Sequence, residues 1–167
     1  MPRIRVARPD ELPFLRELEV AAGRIFADFG MPEVAGDEAL PLEDLAAYQR
    51  DGRALVVTDD DGIIAYALID PVDECVHIEQ ISVHPRAARQ GIGKALIEHI
   101  AANAVTRALT LTTFRDVPWN APHYERCGFR TLAADEITPG LRRIRMHEAE
   151  LGLDRWPRVC MRRGPDA

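Results

Sequence analysis

Apolar positions along the chain change their spacing several times, and each change marks an element. Residues 3–8 alternate, Ile4 and Val6 against Arg3, Arg5 and Arg8, which predicts a strand with one face toward a core. Pro9-Asp10-Glu11 opens a helix whose Leu12, Leu15, Leu18 and Ala22 recur at helical spacing. Gly30, Pro32, Gly36 and Pro41 make residues 29–41 a loop by composition, and a short helix follows over Leu42–Arg50. Two β-rich runs, Arg53–Thr58 and Ile63–Asp70, flank the turn Asp59-Asp60-Asp61-Gly62 and read as a hairpin. A third strand, roughly Glu74–Val83, stops at His84-Pro85. The period turns helical again over Gly91–Asn103, where Ile92, Leu96, Ile97 and Ile100 form one stripe. Leu109–Phe114 reads as a strand, Asn120–Cys127 as a short helix ended by Gly128, and Phe129–Leu132 as a strand. Leu141–Leu151 then reads as a helix and Arg158–Arg162 as a last strand. The order predicts an α/β fold of the mixed (α+β) kind, with helices on both faces of the sheet.

Composition narrows the field. A chain of 167 residues with 47% apolar and 29% charged residues suits one domain, 1–167, with its own core. No apolar run approaches the roughly 20 residues that span a bilayer. Asp10 and Glu11 interrupt the N-terminal region early, unlike a signal peptide, so a cytoplasmic chain with no membrane partner is expected. Cys75, Cys127 and Cys160 are odd in number and lack metal-ligand spacing, which predicts buried, inert thiols and no metal. A net charge of −6 argues against a general nucleic-acid binder.

Against that acidic background, the segment from His84 to Lys94 holds no acidic residue, while Arg86, Arg89 and Lys94, the only lysine, surround a Gly91-Ile92-Gly93 turn into a helix. Helix N-termini carry unpaired N–H groups and the positive end of the dipole, and glycines let an anion approach the backbone. A phosphate-bearing ligand is the economical explanation. Leu96 stands where a dinucleotide fingerprint needs its third glycine. Ala88 and Ala95 break a nucleotide P-loop.

The run Ala88-Arg89-Gln90-Gly91-Ile92-Gly93, preceded by a strand and Val83-His84-Pro85, resembles the cofactor motif Gln/Arg-x-x-Gly-x-Gly/Ala of the GNAT superfamily of N-acetyltransferases. Ala88 departs from that motif's first position, and Arg89 is placed to substitute in part. Trp119-Asn120-Ala121-Pro122-His123-Tyr124, followed by Gly128-Phe129, is similar to the family's Asn-x-x-x-x-Tyr-x-x-x-Gly-Phe signature, with three residues rather than four between Asn120 and Tyr124. The resemblance runs from about Ile4 to Phe129; residues 134–155 match no part of the pattern.

It implies a GNAT-like central sheet, mixed and mostly antiparallel, of six to seven strands, split between its fourth and fifth. It further implies transfer of an acetyl group from acetyl-CoA to the primary amine of a small molecule or peptide, by direct attack on the thioester. Pantetheine would pair with Ile81 and Val83 beside Ser82, and the phosphates would meet Arg86, Arg89, Gln90, Gly91, Ile92, Gly93 and Lys94. Asn120 would touch the same arm or cap its helix. Tyr124 would be the general acid, with a core tyrosine as the plainer reading.

Strand alternation, leaving aside the bulge that the family resemblance implies for this strand, puts Cys75, His77, Glu79, Ile81 and Val83 on one face, making Glu79 or His77 the candidate base, unless both are simply polar residues of a solvated strand. His84 and His123 read as surface or packing residues, and no base stands at a defined spacing from Cys127 for a covalent route. Acidic residues in the segment Asp28–Asp51 (Asp28, Glu33, Asp37, Glu38, Glu43, Asp44 and Asp51) favour a cationic acceptor. A homodimer is allowed for. The alternative on the same fold is a non-catalytic acyl-CoA-binding module.

Overall fold

The spacing of apolar residues is realised in a computed structural model that describes residues 2–36, 39–105 and 107–165. In chain order, β1 (Arg3–Val6) precedes four helices: α1 (Leu12–Gly23), α2 (Ile25–Asp28), α3 (Pro32–Ala35) and α4 (Leu42–Arg50). Strands β2 (Ala54–Asp59), β3 (Gly62–Val72) and β4 (Cys75–Val83) follow, then α5 (Ile92–Ala104), β5 (Leu109–Phe114) and α6 (Ala121–Arg126). Strand β6 (Arg130–Thr131), helix α7 (Pro139–Glu150) and strand β7 (Arg158–Arg163) complete the order. The strands form one seven-stranded sheet ordered β1-β2-β3-β4-β5-β7-β6. Pairing is antiparallel at β1–β2, β2–β3, β5–β7 and β6–β7 and parallel at β4–β5, so the sheet is mixed and mostly antiparallel, as expected.

Two compact units divide the chain. One takes residues up to Ile69 together with Gln80–His99; the other takes Asp70–Glu79 and everything from Ile100 onward. In the first, Leu12, Leu15 and Leu18 of α1 and Leu45 of α4 pack with Ala54, Val56, Tyr66 and Leu68 of β2 and β3. Burying a leucine-sized side chain contributes roughly 1.5–3 kcal/mol, so this cluster anchors the hairpin that β4 extends. Two expectations need correction here. Val6 is exposed; β1 is an edge strand, and Ala7 turns inward instead. The 29–41 loop contains the single turn α3, opened by Pro32 at its first position, where a missing N–H costs nothing. Asp37 and Glu38 lie outside the described residues.

In the second unit β5 pairs with β7 over six residues, and Leu132, Leu141 and Cys160 form a small core with Ile137 and Ile144. Residues 134–155, which matched no motif, build α7 between two short 3₁₀ turns. Its start is capped from outside: the Gly140 N–H donates to Asp73 Oδ2 at 2.7 Å, while the side chain at the cap position, Thr138, makes no capping bond to the helix. Asp73 and Glu74, the turn between β3 and β4, have φ of +49° and +67°, a left-handed conformation that is costly for residues other than glycine. A Cβ on Gly140 would lie 2.4 Å from Asp73 Oδ2, so this helix start tolerates no side chain without a shift. All three cysteines are buried. Among the described residues no helix is long and apolar enough to cross a membrane.

Candidate active site

The glycine segment follows β4 through a short 3₁₀ turn, Pro85–Ala87, into α5. His84 shapes that turn: its Nδ1 accepts from the Arg86 N–H at 3.1 Å. Arg86 is not a free cation, because its guanidinium grips Asp59 with contacts of 3.0 and 3.3 Å. Gln90 donates back to the Arg86 carbonyl at 3.5 Å. Arg89 has φ +63° and Gly91 φ +76°, so two left-handed residues turn the chain into the helix. Ala95 N–H bonds the Gly91 carbonyl at 3.0 Å, which makes Gly91 the cap and leaves the N–H groups of Ile92, Gly93 and Lys94 without intrahelical partners. The Ile92 side chain is buried, so that residue can offer a ligand only its backbone. Arg89 and Lys94 are exposed beside these donors.

Strand β4 changes character along its length. Val76 donates to Ala108 at 2.9 Å, pointing toward β5, whereas His84, also at an even position, donates to Ile64 of β3 at 2.8 Å. Successive N–H groups alternate sides, so a one-residue irregularity must interrupt the strand. The side-chain bond of 2.6 Å between Gln80 and Ser82 puts those two residues on one face. An unbroken alternation along the strand, on which the single-face expectation relied, is thereby corrected. The backbone groups of Ile81 and Val83 point away from β3, while Ser82 is buried.

Around the first half of β4 gather groups from four elements. His77 is 1% exposed, and its Nδ1 lies 2.9 Å from Thr110 Oγ1. Its Nε2 lies 3.7 Å from Glu79 Oε2, and the Glu79 side chain is 45% exposed. Burial lowers the His77 pKa, against an upward push from Asp70 and Glu148. Removal from water, then Asp70 and Glu148, push Glu79 up to about 7, with Arg158 opposing. The Glu79 carboxyl is thus open to solvent on one side and crowded by protein charges on the other. Glu148 itself is held by Arg158 at 3.0 Å, by Arg145 at 3.0 Å and by the Thr112 hydroxyl. Burial opposes its ionisation, but these partners keep it below its usual range.

In α6 the Tyr124 ring stands edge-on to Phe129, with centroids 6.0 Å apart, and tilted against His123 at 5.4 Å. Burial, and then Cys127, push its hydroxyl up to about 12. Asn120 occupies the cap position without a side-chain capping bond, so the capping alternative loses its hydrogen bond. His123 Nε2 lies 3.8 Å from Cys127 Sγ, which corrects the expectation that no base stands at a defined spacing from Cys127: the two are four residues apart, the spacing that brings side chains together along a helix. Burial and Arg126 lower the His123 pKa, which leaves its ring neutral and unsuited to hold a thiolate. Among the described residues no group of three or more His, Cys, Asp or Glu side chains is arranged to hold a metal ion.

Residues 50–131 match the sequence model of a known family, described as an acetyltransferase (GNAT) domain. Several solved structures share the fold. The ribosomal-protein-S18-alanine N-acetyltransferase of Escherichia coli superposes with a TM-score of 0.66 at 20% identity, covering 98% of this chain and 94% of that one. N-acetylglutamate synthase of Neisseria gonorrhoeae, complexed with coenzyme A and N-acetyl-glutamate, gives 0.72 at 20% identity over 98% of this chain and 35% of that one. The PaiA N-acetyltransferase of Thermoplasma acidophilum, in complex with coenzyme A, gives 0.67 at 14% identity over 98% and 99%. At such identities the likeness is one of fold.

Proposed function

Because this chain belongs to the GNAT acetyltransferase family, we propose that it moves an acetyl group from acetyl-CoA to a primary amine by direct attack on the thioester. The open N–H groups of Ile92, Gly93 and Lys94 with the cations of Arg89 and Lys94 receive the pyrophosphate. Arg86, engaged by Asp59, holds the loop in shape. The backbone groups of Ile81 and Val83 that point away from β3 pair with the pantetheine amides like an added strand, and Asn120 touches the same arm.

Glu79 takes a proton from the acceptor ammonium. The neutral amine then forms the C–N bond at the thioester carbon; the nitrogen of the tetrahedral adduct gives its surplus proton to solvent as the C–S bond breaks, leaving a neutral amide. Tyr124 keeps its proton at neutral pH and donates it toward the departing sulfur. The observation that carries the catalytic reading over a binding module is Glu79, a solvent-open carboxyl poised near neutrality. His77 is the poorer base, being buried and bonded to Thr110.

The test is release of free thiol from acetyl-CoA across a panel of primary amines, for the native chain and Glu79→Gln. Amine-dependent release that falls about 10²-fold or more in the variant is expected. Coenzyme A binding with no amine-dependent release would favour the binding module.

A further inference from the structure

Glu79 is nearly half exposed, and an exposed glutamate samples several rotamers unless something holds it. Its neighbour His77 is fixed on the opposite side. His77 and Thr110 are register partners in the parallel β4–β5 ladder, so backbone pairing sets their side-chain contact. Both are buried, at 1% and 3% exposure, and the Nδ1 to Oγ1 distance is 2.9 Å. From this geometry we infer that His77 is a positioning residue for Glu79, kept in its Nε2–H tautomer by the Thr110 hydroxyl. The inference builds on the assignment of Glu79 as general base.

The chemistry of a neutral imidazole supplies the logic. Such a ring has one N–H and one lone pair. In the Nε2–H form, the Thr110 hydroxyl donates to Nδ1 and the ring carries its N–H on the nitrogen nearer Glu79 Oε2, 3.7 Å away. In the Nδ1–H form, a bare nitrogen would face the carboxylate, a repulsion relieved only if Glu79 carries a proton. An ionised Glu79 therefore selects Nε2–H, and Nε2–H in turn favours ionised Glu79. The other charged groups acting on this carboxyl are Asp70 at the end of β3, Glu148 on α7 and Arg158 on β7. The two carboxylates oppose ionisation, and Arg158 divides its donors between Glu148 and Thr112. His77 is then the dipole nearest one oxygen of Glu79, a contact of charge and dipole longer than a hydrogen bond that favours Oε2 on that side and leaves Oε1 to meet the acceptor ammonium.

The test needs no acceptor. Glutamate carboxyls are labelled with ¹³C in the full chain, the Glu79 signal is assigned by its loss in Glu79→Gln, and its titration is followed by NMR. In Thr110→Val, which keeps the shape and removes the hydroxyl, the Glu79 midpoint should rise by about half a unit or more, because support for the charged form is lost. Thr110→Ser restores a hydroxyl and should return the midpoint toward the native value. In the native chain, ¹⁵N shifts of His77 above that midpoint should report protonation at Nε2. This measurement stands even if Thr110→Val does not fold. A midpoint unmoved in Thr110→Val, or an Nδ1–H ring beside ionised Glu79, would overturn the inference. If the midpoint moves but the acidic limb of amine-dependent thiol release does not follow it, the positioning holds and Glu79 is not the base.

Discussion

At Glu79, one carboxyl feels the charges of Asp70, Glu148 and Arg158, and this sets how rate and stability respond to pH. A base must be ionised to accept a proton, so kcat/KM should rise with pH through about 7 and level above it. Stability runs the other way. The folded value, about 7, lies above the 4.5 of a free glutamate, so the contribution is present below 4.5 and lost as pH rises through 7. Glu79→Gln should therefore melt higher than the native chain above pH 7 and alike below pH 4.5, as scanning calorimetry across pH would show. Tyr124→Phe removes one hydroxyl. A phenol pushed to about 12 is a weak acid for a thiolate, so turnover should fall toward the low end of the usual range, about 10²-fold, with coenzyme A affinity barely changed. Turnover within threefold of native, with chemistry limiting, would exclude the acid role. Tyr124 and the Gly91 turn were legible because each sits in a short local pattern. Thr110, Glu148 and Arg158 were not, since their bearing on His77 and Glu79 comes from strand pairing and from α7, which no local spacing records.

Helix α5 and its loop test the phosphate assignment. Gly91 has open space where a Cβ would go, so the obstacle to a side chain is its φ of +76° rather than a clash. Replacing Gly91 and Gly93 together by Asp adds two negative charges where N–H groups point. Coenzyme A affinity should drop at least tenfold by calorimetry, with the protein still folded. For α7, Asp73→Ala removes the cap of another element. A loss of about 1 kcal/mol in denaturant melts is expected, with turnover affected only through Glu148. Element order and type could be read from apolar spacing almost throughout. The irregularity in β4 was implied only by the family resemblance, because alternation of side chains carries no mark of an extra residue until hydrogen-bond partners are known. The burial of Ala7 in place of Val6 escaped for a similar reason: an edge strand has one partner to set its register.

Across the whole chain, the net charge of −6 coexists with a basic loop, so a polyanionic donor must bind by local contacts while longer-range fields favour cations. Around the 28–51 segment the structure tempers that field, since Asp51 is paired with Arg53 at 2.9 Å. The carboxylates beside Glu79 keep the expectation alive. Among acceptor amines, cationic ones should show the lower KM at low salt, with the advantage shrinking as ionic strength rises. An acceptor set confined to carboxylate-rich molecules would refute this.

The cap that Asp73 gives to α7 also has a meaning in time. Donor and acceptor are 67 residues apart in sequence. At a synthesis rate of roughly 5–20 residues per second, Asp73 is added to the chain about 3–13 s before Gly140. Through that interval the left-handed turn at Asp73 and Glu74 must stand without the bond that offsets its strain. The nascent hairpin should therefore remain dynamic until α7 docks and closes a long loop. Asp73→Ala should consequently speed unfolding and leave refolding almost untouched, shifting only the unfolding limb of a chevron.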